Sequence, residues 1–119
     1  MVHQNGRKKL NCKAPHRRSL LRNQVIHLIK FGHLVTTKAR VKEVRRLAER
    51  AVTLARDGNT FNARRRVHAM LPYDKKAVLK LFIEIAPQYV SRPGGYTRII
   101  PLGKRISDTA TVARLEWVK

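Results

Sequence analysis

Cysteine, long apolar runs and acidic side chains are all scarce in these 119 residues, and each scarcity excludes a class of protein. The one cysteine, Cys12, cannot form an intrachain disulfide, and such usage fits a reducing compartment. No apolar run approaches the roughly 20 residues of a membrane-spanning helix, so no membrane partner is expected. The opening Met1-Val2-His3-Gln4-Asn5-Gly6 leads into no apolar stretch, and neither a signal peptide nor an organellar presequence is expected. Internal repeats and low-complexity segments are absent too.

Acid is the decisive shortage. Asp plus Glu number 7 against 27 Lys plus Arg, which leaves +20. Residues 1–66 hold 18 basic and 3 acidic side chains, and residues 67–119 hold 9 and 4. A well-solvated small domain needs a net charge of only about 2–8. Self-repulsion at this density opposes compaction, and a polyanion relieves it. Phosphate backbones supply that anion, and releasing their counterions gives tight, salt-sensitive binding. The expected partner is therefore a nucleic acid, with no small-molecule substrate, no cofactor and no homo-oligomer.

Catalytic chemistry finds little support. Cys12 and His16 are four apart, as at the start of a zinc site, but no second Cys or paired His completes four ligands. As a nucleophile and base they fall at the end of a basic arm, where nothing fixes catalytic geometry. Five of the seven carboxylates lie near Lys or Arg in sequence, which favours local charge balance over acid–base work. Gly94-Gly95 lacks the pattern of a nucleotide-binding loop. No enzyme and no metal site are expected.

Hydrophobic residues make up 43% of the chain. A chain of this size can bury about two-thirds of its unfolded surface, enough for one modest core. Residues 1–15 form an extended basic arm in this reading, with residues 16–119 as the compact domain. A helix is predicted from His16 to Phe31, because Leu21, Val25, Leu28 and Ile29 recur on one stripe. Gly32 caps it. Arg17, Arg18 and Arg22 fall in its first turns, where positive charge opposes the helix dipole and calls for an outside acceptor. Leu34-Val35-Thr36-Thr37 is a short strand. Thr37 then caps a helix over Lys38 to Arg56 that buries Val41, Val44, Ala48, Ala51 and Ala55, with Lys42, Arg46 and Arg56 opposite.

Asp57-Gly58-Asn59 stops that helix, and Asn59 caps a third over Thr60 to Met70 carrying Arg64-Arg65-Arg66. Asp74 caps a fourth, with Val78, Leu79, Phe82 and Ile85 inward and Pro87 closing it. The period then becomes two. Tyr96 to Ile100 follows a Pro93-Gly94-Gly95 turn, and Ala110 to Val118 places Ala113, Leu115 and Trp117 on one face. The fold class is α+β in two layers, of order α-β-α-α-α-β-β, with helices packed on a small mixed sheet. Tyr96 and Arg98 share a strand face; stacking on an unpaired base and burial of the ring in the core are both open.

Several segments carry a family likeness. They are Met1-Val2-His3, Arg7-Lys8-Lys9-Leu10-Asn11, His16-Arg17-Arg18-Ser19-Leu20-Leu21-Arg22-Asn23 and Val35-Thr36-Thr37-Lys38-Ala39-Arg40-Val41-Lys42-Glu43. The most specific are Phe82-Ile83-Glu84-Ile85-Ala86-Pro87-Gln88-Tyr89 and Arg92-Pro93-Gly94-Gly95-Tyr96-Thr97-Arg98-Ile99. In order and spacing they make the chain resemble the bacterial large-subunit ribosomal protein seventeen family over almost its whole length. It departs from that pattern at Val2, at Cys12 and in the loop Ile106-Ser107-Asp108-Thr109-Ala110.

The resemblance implies a structural component of the large subunit in a bacterial-type, cytoplasmic ribosome. It implies binding to 23S rRNA near the nascent-chain exit, with neighbouring large-subunit proteins close by and an arm that orders as RNA neutralises it. The candidate RNA-binding residues are Arg7, Lys8, Lys9, Lys13, His16, Arg17, Arg18 and Arg22 in the arm and first helix. Lys38, Lys42 and Arg46 follow on the second helix, then Arg92, Tyr96, Arg98, Lys104 and Arg105. A DNA-compacting or helix-turn-helix protein is the rival binder, but no tight Gly turn pairs the second helix with a recognition helix. An enzyme acting on RNA is the remaining rival, and it would depend on His16 or Cys12.

Overall fold

Pro15 sets the start of the first helix. Proline suits a first helical turn, where its missing N–H has no intrahelical partner to lose, and α1 accordingly begins at Ala14 and runs to Phe31. The helix thus starts two residues before the expected His16. The computed structural model describes residues 10 and 12–118. Val25, Ile26, Leu28 and Ile29 form the buried stripe of α1. Gly32 ends it in the left-handed conformation (φ 81°), its N–H bonded to the Leu28 carbonyl at 2.9 Å.

Strand β1 (His33–Thr37) leads directly into α2 (Lys38–Ala55). Thr37 occupies the cap position with extended backbone but makes no side-chain capping bond. The expected apolar face of α2 is buried, with Val52 added to it. Helix α3 (Phe61–Met70) is capped by Thr60, whose hydroxyl accepts from Ala63 N at 3.2 Å. Asn59 is therefore not the cap. A threonine one residue nearer the helix reaches the third N–H directly.

Helix α4 (Lys75–Lys80) opens on Asp74, whose carboxylate accepts from the N–H groups of Lys76 and Ala77. Pro87 does not end the helical path as expected. It cannot donate to the carbonyl four residues back, so the ladder widens to a π turn over Leu81–Ile85, with Ala86 N–H bonded to the Leu81 carbonyl. A 3₁₀ turn over Ala86–Tyr89 follows and carries Tyr89 into the core. Val78, Phe82 and Ile85 point inward as expected, but Leu79 lies on the flank, 53% exposed.

The sheet contains β1, β2 (Thr97–Lys104) and β3 (Thr111–Trp117) in the order β1-β3-β2. Both ladders are antiparallel, so the sheet is not mixed. The reason is topological: β3 returns beside β2 as a hairpin, and β1 joins the free side of β3 running against it. Leu34, Leu115 and Ile99 stand side by side in register and form the inward row over the helices. The outward row is His33, Glu116 and Arg98. Pro101 lies in edge strand β2, next to an irregularity in register between Pro101 and Gly103, where Gly103 takes φ 91°.

At one end of the sheet three aromatic rings close the core. Tyr89 and Tyr96 have ring centroids 5.3 Å apart, and Tyr89 and Trp117 6.4 Å. The Tyr89 hydroxyl donates to the Val118 carbonyl, and Trp117 Nε1 donates to the Leu28 carbonyl at 3.3 Å. Trp117 is partly buried against the core.

A candidate nucleic-acid interface

All seven carboxylates lie within 4.0 Å of a cationic side chain among the described residues, and eight cations suffice for this. Glu116 holds two of them, Arg98 at 2.6 Å and Arg114 at 3.2 Å. Arg98 in turn keeps the Glu116 carboxyl below its usual pKa, with Arg114 adding to the effect. Local neutralisation thus consumes the protein's entire supply of acid, and most of the positive charge is left for solvent or a partner.

Along α1 that charge is ordered by the start of the helix. Lys13 stands at the cap position, and no acid lies in the first turn. Lys13, His16 and Arg18 are exposed, whereas Arg17 and Arg22 are half-buried. Arg17 Nη1 donates to the Cys12 carbonyl at 3.4 Å, which folds the segment before the helix onto it. Arg22 reaches across to α3, its Nη2 3.4 Å from the Ala69 carbonyl. Arg7, Lys8 and Lys9 lie outside the described residues.

On α2 the residues Lys38, Lys42 and Arg46 recur every fourth position and are all exposed, a single basic stripe. Arg46 lies 3.9 Å from the Glu43 carboxylate. Arg56, expected on the same open side, instead folds inward and donates to the Arg92 carbonyl and to the Tyr96 hydroxyl.

The remaining candidates, Arg92, Tyr96, Arg98, Lys104 and Arg105, are less available as a group. Tyr96 is 1% exposed, and its ring is part of the core. It cannot stack on a base, and burial is the correct one of its two readings. Its hydroxyl explains the choice: it faces Arg56 Nη1 at 3.0 Å and Thr53 Oγ1 at 3.3 Å, so the polar end is satisfied inside the protein. Arg92 is half-buried, with its guanidinium 6.0 Å over the Tyr89 ring. Arg98 is exposed but paired with Glu116. Arg105 makes a fork-to-fork pair with Asp108, at 2.9 Å from Nε and 2.7 Å from Nη2. That pair and the Ala110 N–H hold the Asp108 carboxyl down at about 2. Lys104 remains exposed and outside any ion pair among the described residues.

Sequence reasoning missed Tyr73. It sits between Pro72 and the cap residue Asp74, and its ring is met by side chains from α1. Ser19 Oγ lies 3.2 Å from its hydroxyl, and the Arg22 guanidinium carbon lies 5.8 Å over its ring. These partners are separated by 54 and 51 positions, so no short-range pattern links them. An aromatic residue between a helix breaker and a helix cap was the one signal available.

Among the described residues no group of three or more His, Cys, Asp or Glu is placed to hold a metal ion. The Cys12 thiol donates to the Leu10 carbonyl, and among the described residues no helix is long and apolar enough to cross a membrane.

The family model described as ribosomal protein L17 matches residues 20–118. The large ribosomal subunit protein bL17 of Desulforudis audaxviator (strain MP104C) is 47% identical over 113 residues, covering 95% of this chain and 99% of its own. The bL17 protein of Dictyoglomus thermophilum is 44% identical over 118 residues, 99% of this chain and 100% of its own. That of Treponema pallidum (strain Nichols) is 46% identical over 99% of this chain and extends further, since the match covers 71% of its length. With the family model matched over most of the chain and relatives matched nearly end to end, the chain belongs to the bL17 family of large-subunit ribosomal proteins, a structural and non-enzymatic family.

Proposed function

We propose that this protein binds 23S rRNA and stabilises its fold within the large subunit, near the nascent-chain exit and beside other large-subunit proteins. The observation that carries the reading is the exhausted acid: every carboxylate is already paired, while Lys13, Arg17, Arg18, Arg22, Lys38, Lys42 and Lys104 have no carboxylate partner among the described residues. Phosphates are the complementary charge, and contacts to them position a protein on RNA without reading sequence. The residues before α1 serve as a basic arm that adds Arg7, Lys8 and Lys9, and the chain from Ala14 onward serves as the compact body. His16, Arg46, Arg92, Arg98 and Arg105 contribute at the margins of the contact, four of them while retaining partners inside the protein.

The test is incorporation in cells. Replacing Arg17, Arg18 and Arg22 together by Glu exchanges three positive charges for three negative ones on one helix end. The variant is expected in the light fractions of a sucrose gradient, while the unaltered protein co-sediments with the large subunit at near one copy per particle through a moderate salt wash. Normal incorporation of the variant refutes the role given to these arginines. Loss of the unaltered protein from the particle refutes the placement.

A further inference from the structure

We propose that Tyr73, held by Ser19 and Arg22 where α1 meets the loop between α3 and α4, is a platform on which one unstacked nucleotide of the bound RNA stacks, with its phosphate at Arg18. This deepens the rRNA-binding reading and rests on it. Three features of the residue support the assignment. Tyr73 is 50% exposed although its hydroxyl and one face of its ring are engaged, so the rest of the ring is open to water. The ring is also pinned. Ser19 holds its hydroxyl and Arg22 lies over it, and Arg22 is itself tethered to the Ala69 carbonyl. A base arriving on a ring already fixed in place pays little side-chain entropy.

The third feature is charge. Arg22 lies over the ring, and Arg18 is the exposed neighbour of Ser19 on α1. The hydrogen bond with Ser19 first, then Arg22 and more weakly the charge of Arg18, hold the Tyr73 hydroxyl below its usual pKa. The one nearby carboxylate, Asp74, is already taken by the Lys30 ammonium and by the N–H groups of Lys76 and Ala77. An open ring in a positive field with no available acid suits a base and its phosphate better than a protein surface. Aromatic side chains flanked by arginine are the common means of holding splayed-out bases, which duplex RNA does not present.

Other surfaces carry less. Phe61 is exposed beside Arg65, but the two are neighbours on one helix and no hydrogen bond or ion pair among the described residues fixes them. Leu79, Ile83 and Val90 are exposed apolar side chains around the π turn, and nothing in the structure shows what covers them.

The experiment compares two RNA probes on the full chain: an oligouridylate of about a dozen nucleotides and an RNA duplex of similar length. Tyr73→Ala is expected to weaken oligouridylate binding roughly ten-fold, the scale of one lost stack, and to leave duplex binding and the salt dependence unchanged. Tyr73→Phe keeps the ring and most of the affinity. Equal weakening on both probes, or none on either, overturns the platform while rRNA binding stands. Failure of the unaltered protein to bind either probe overturns the binding reading itself. Ultraviolet cross-linking of the unaltered protein to oligouridylate needs no variant. An adduct on Tyr73 supports the proposal, and adducts only elsewhere overturn it.

Discussion

Replacing Tyr96 by Phe removes one buried oxygen and leaves the ring in place. That oxygen faces Arg56 Nη1 at 3.0 Å and Thr53 Oγ1 at 3.3 Å. Neither partner is stranded by its loss, because Arg56 keeps the Arg92 carbonyl and Thr53 keeps the Glu49 carbonyl. A hydrogen bond to a charged group contributes about 1.5–3 kcal/mol net, and stranded partners raise the cost of losing it. With none stranded, the expected loss is about 1–2 kcal/mol. Unfolding entropy of roughly 2.1 cal/mol/K per residue gives about 0.25 kcal/mol/K for a chain of this length, so the melting midpoint should fall by about 4–8 °C. Thermal unfolding followed by circular dichroism reads that shift. RNA affinity measured well below the transition should not change, since a ring 1% exposed touches no ligand. An unchanged midpoint combined with weakened RNA binding would refute the placement of Tyr96 in the core.

Glu49→Ala strands the Thr97 N–H and hydroxyl, which donate to Glu49 Oε1 at 3.3 and 3.1 Å where α2 meets the start of β2. Thr97 is buried, so a cost of about 1–3 kcal/mol is expected in urea unfolding, and Glu49→Gln, which keeps an acceptor, should recover much of it. Acid should destabilise the protein in a definite window. Asp108 is held at about 2 chiefly by Arg105, Asp74 is lowered chiefly by Lys30, and Glu116 chiefly by Arg98. Folded values below the unfolded ones mean that this stabilisation is complete above the unfolded carboxylate pKa, near about 4. It is lost as pH falls through the folded values, toward about 2 for Asp108. Asp108→Asn should flatten the lower part of a midpoint-versus-pH curve, and an unaltered curve would show that the hairpin-loop pair contributes nothing.

Element order and the buried faces of α1 and α2 were legible because they are periodic and local. Val25, Leu28 and Ile29 announce one stripe, and Val41, Val44, Ala48, Ala51 and Ala55 another. Strand pairing was not legible. Nothing local says that β1 joins β3, a partner nearly 80 positions away in register at Thr36 and Ala113, so the antiparallel character of the whole sheet stayed hidden. The π turn escaped for a related reason, since Pro87 forbids a bond without stating whether the chain stops or widens. At the candidate interface the charge excess was plain, but its assignment was not. Arg105 and Arg98 are equivalent to Lys104 in sequence terms until Asp108 and Glu116 are seen to occupy them. Tyr96 and Tyr73 exchanged places because exposure of an aromatic ring is decided by distant partners, Arg56 for one and Ser19 for the other.

Pro101 bears on how the protein behaves before it meets RNA. The outer side of β2 is an open row of backbone donors and acceptors, the kind of edge on which a second copy of a chain can add a strand. Pro101 removes one donor from that row, and the irregularity beside Gly103 breaks its repeat. The opposite edge, β1, is only five residues long and passes straight into α2. In a highly charged protein of the large ribosomal subunit, both interruptions disfavour strand addition between the sheets of two copies. Charge repulsion and interrupted edges oppose that pairing by independent means.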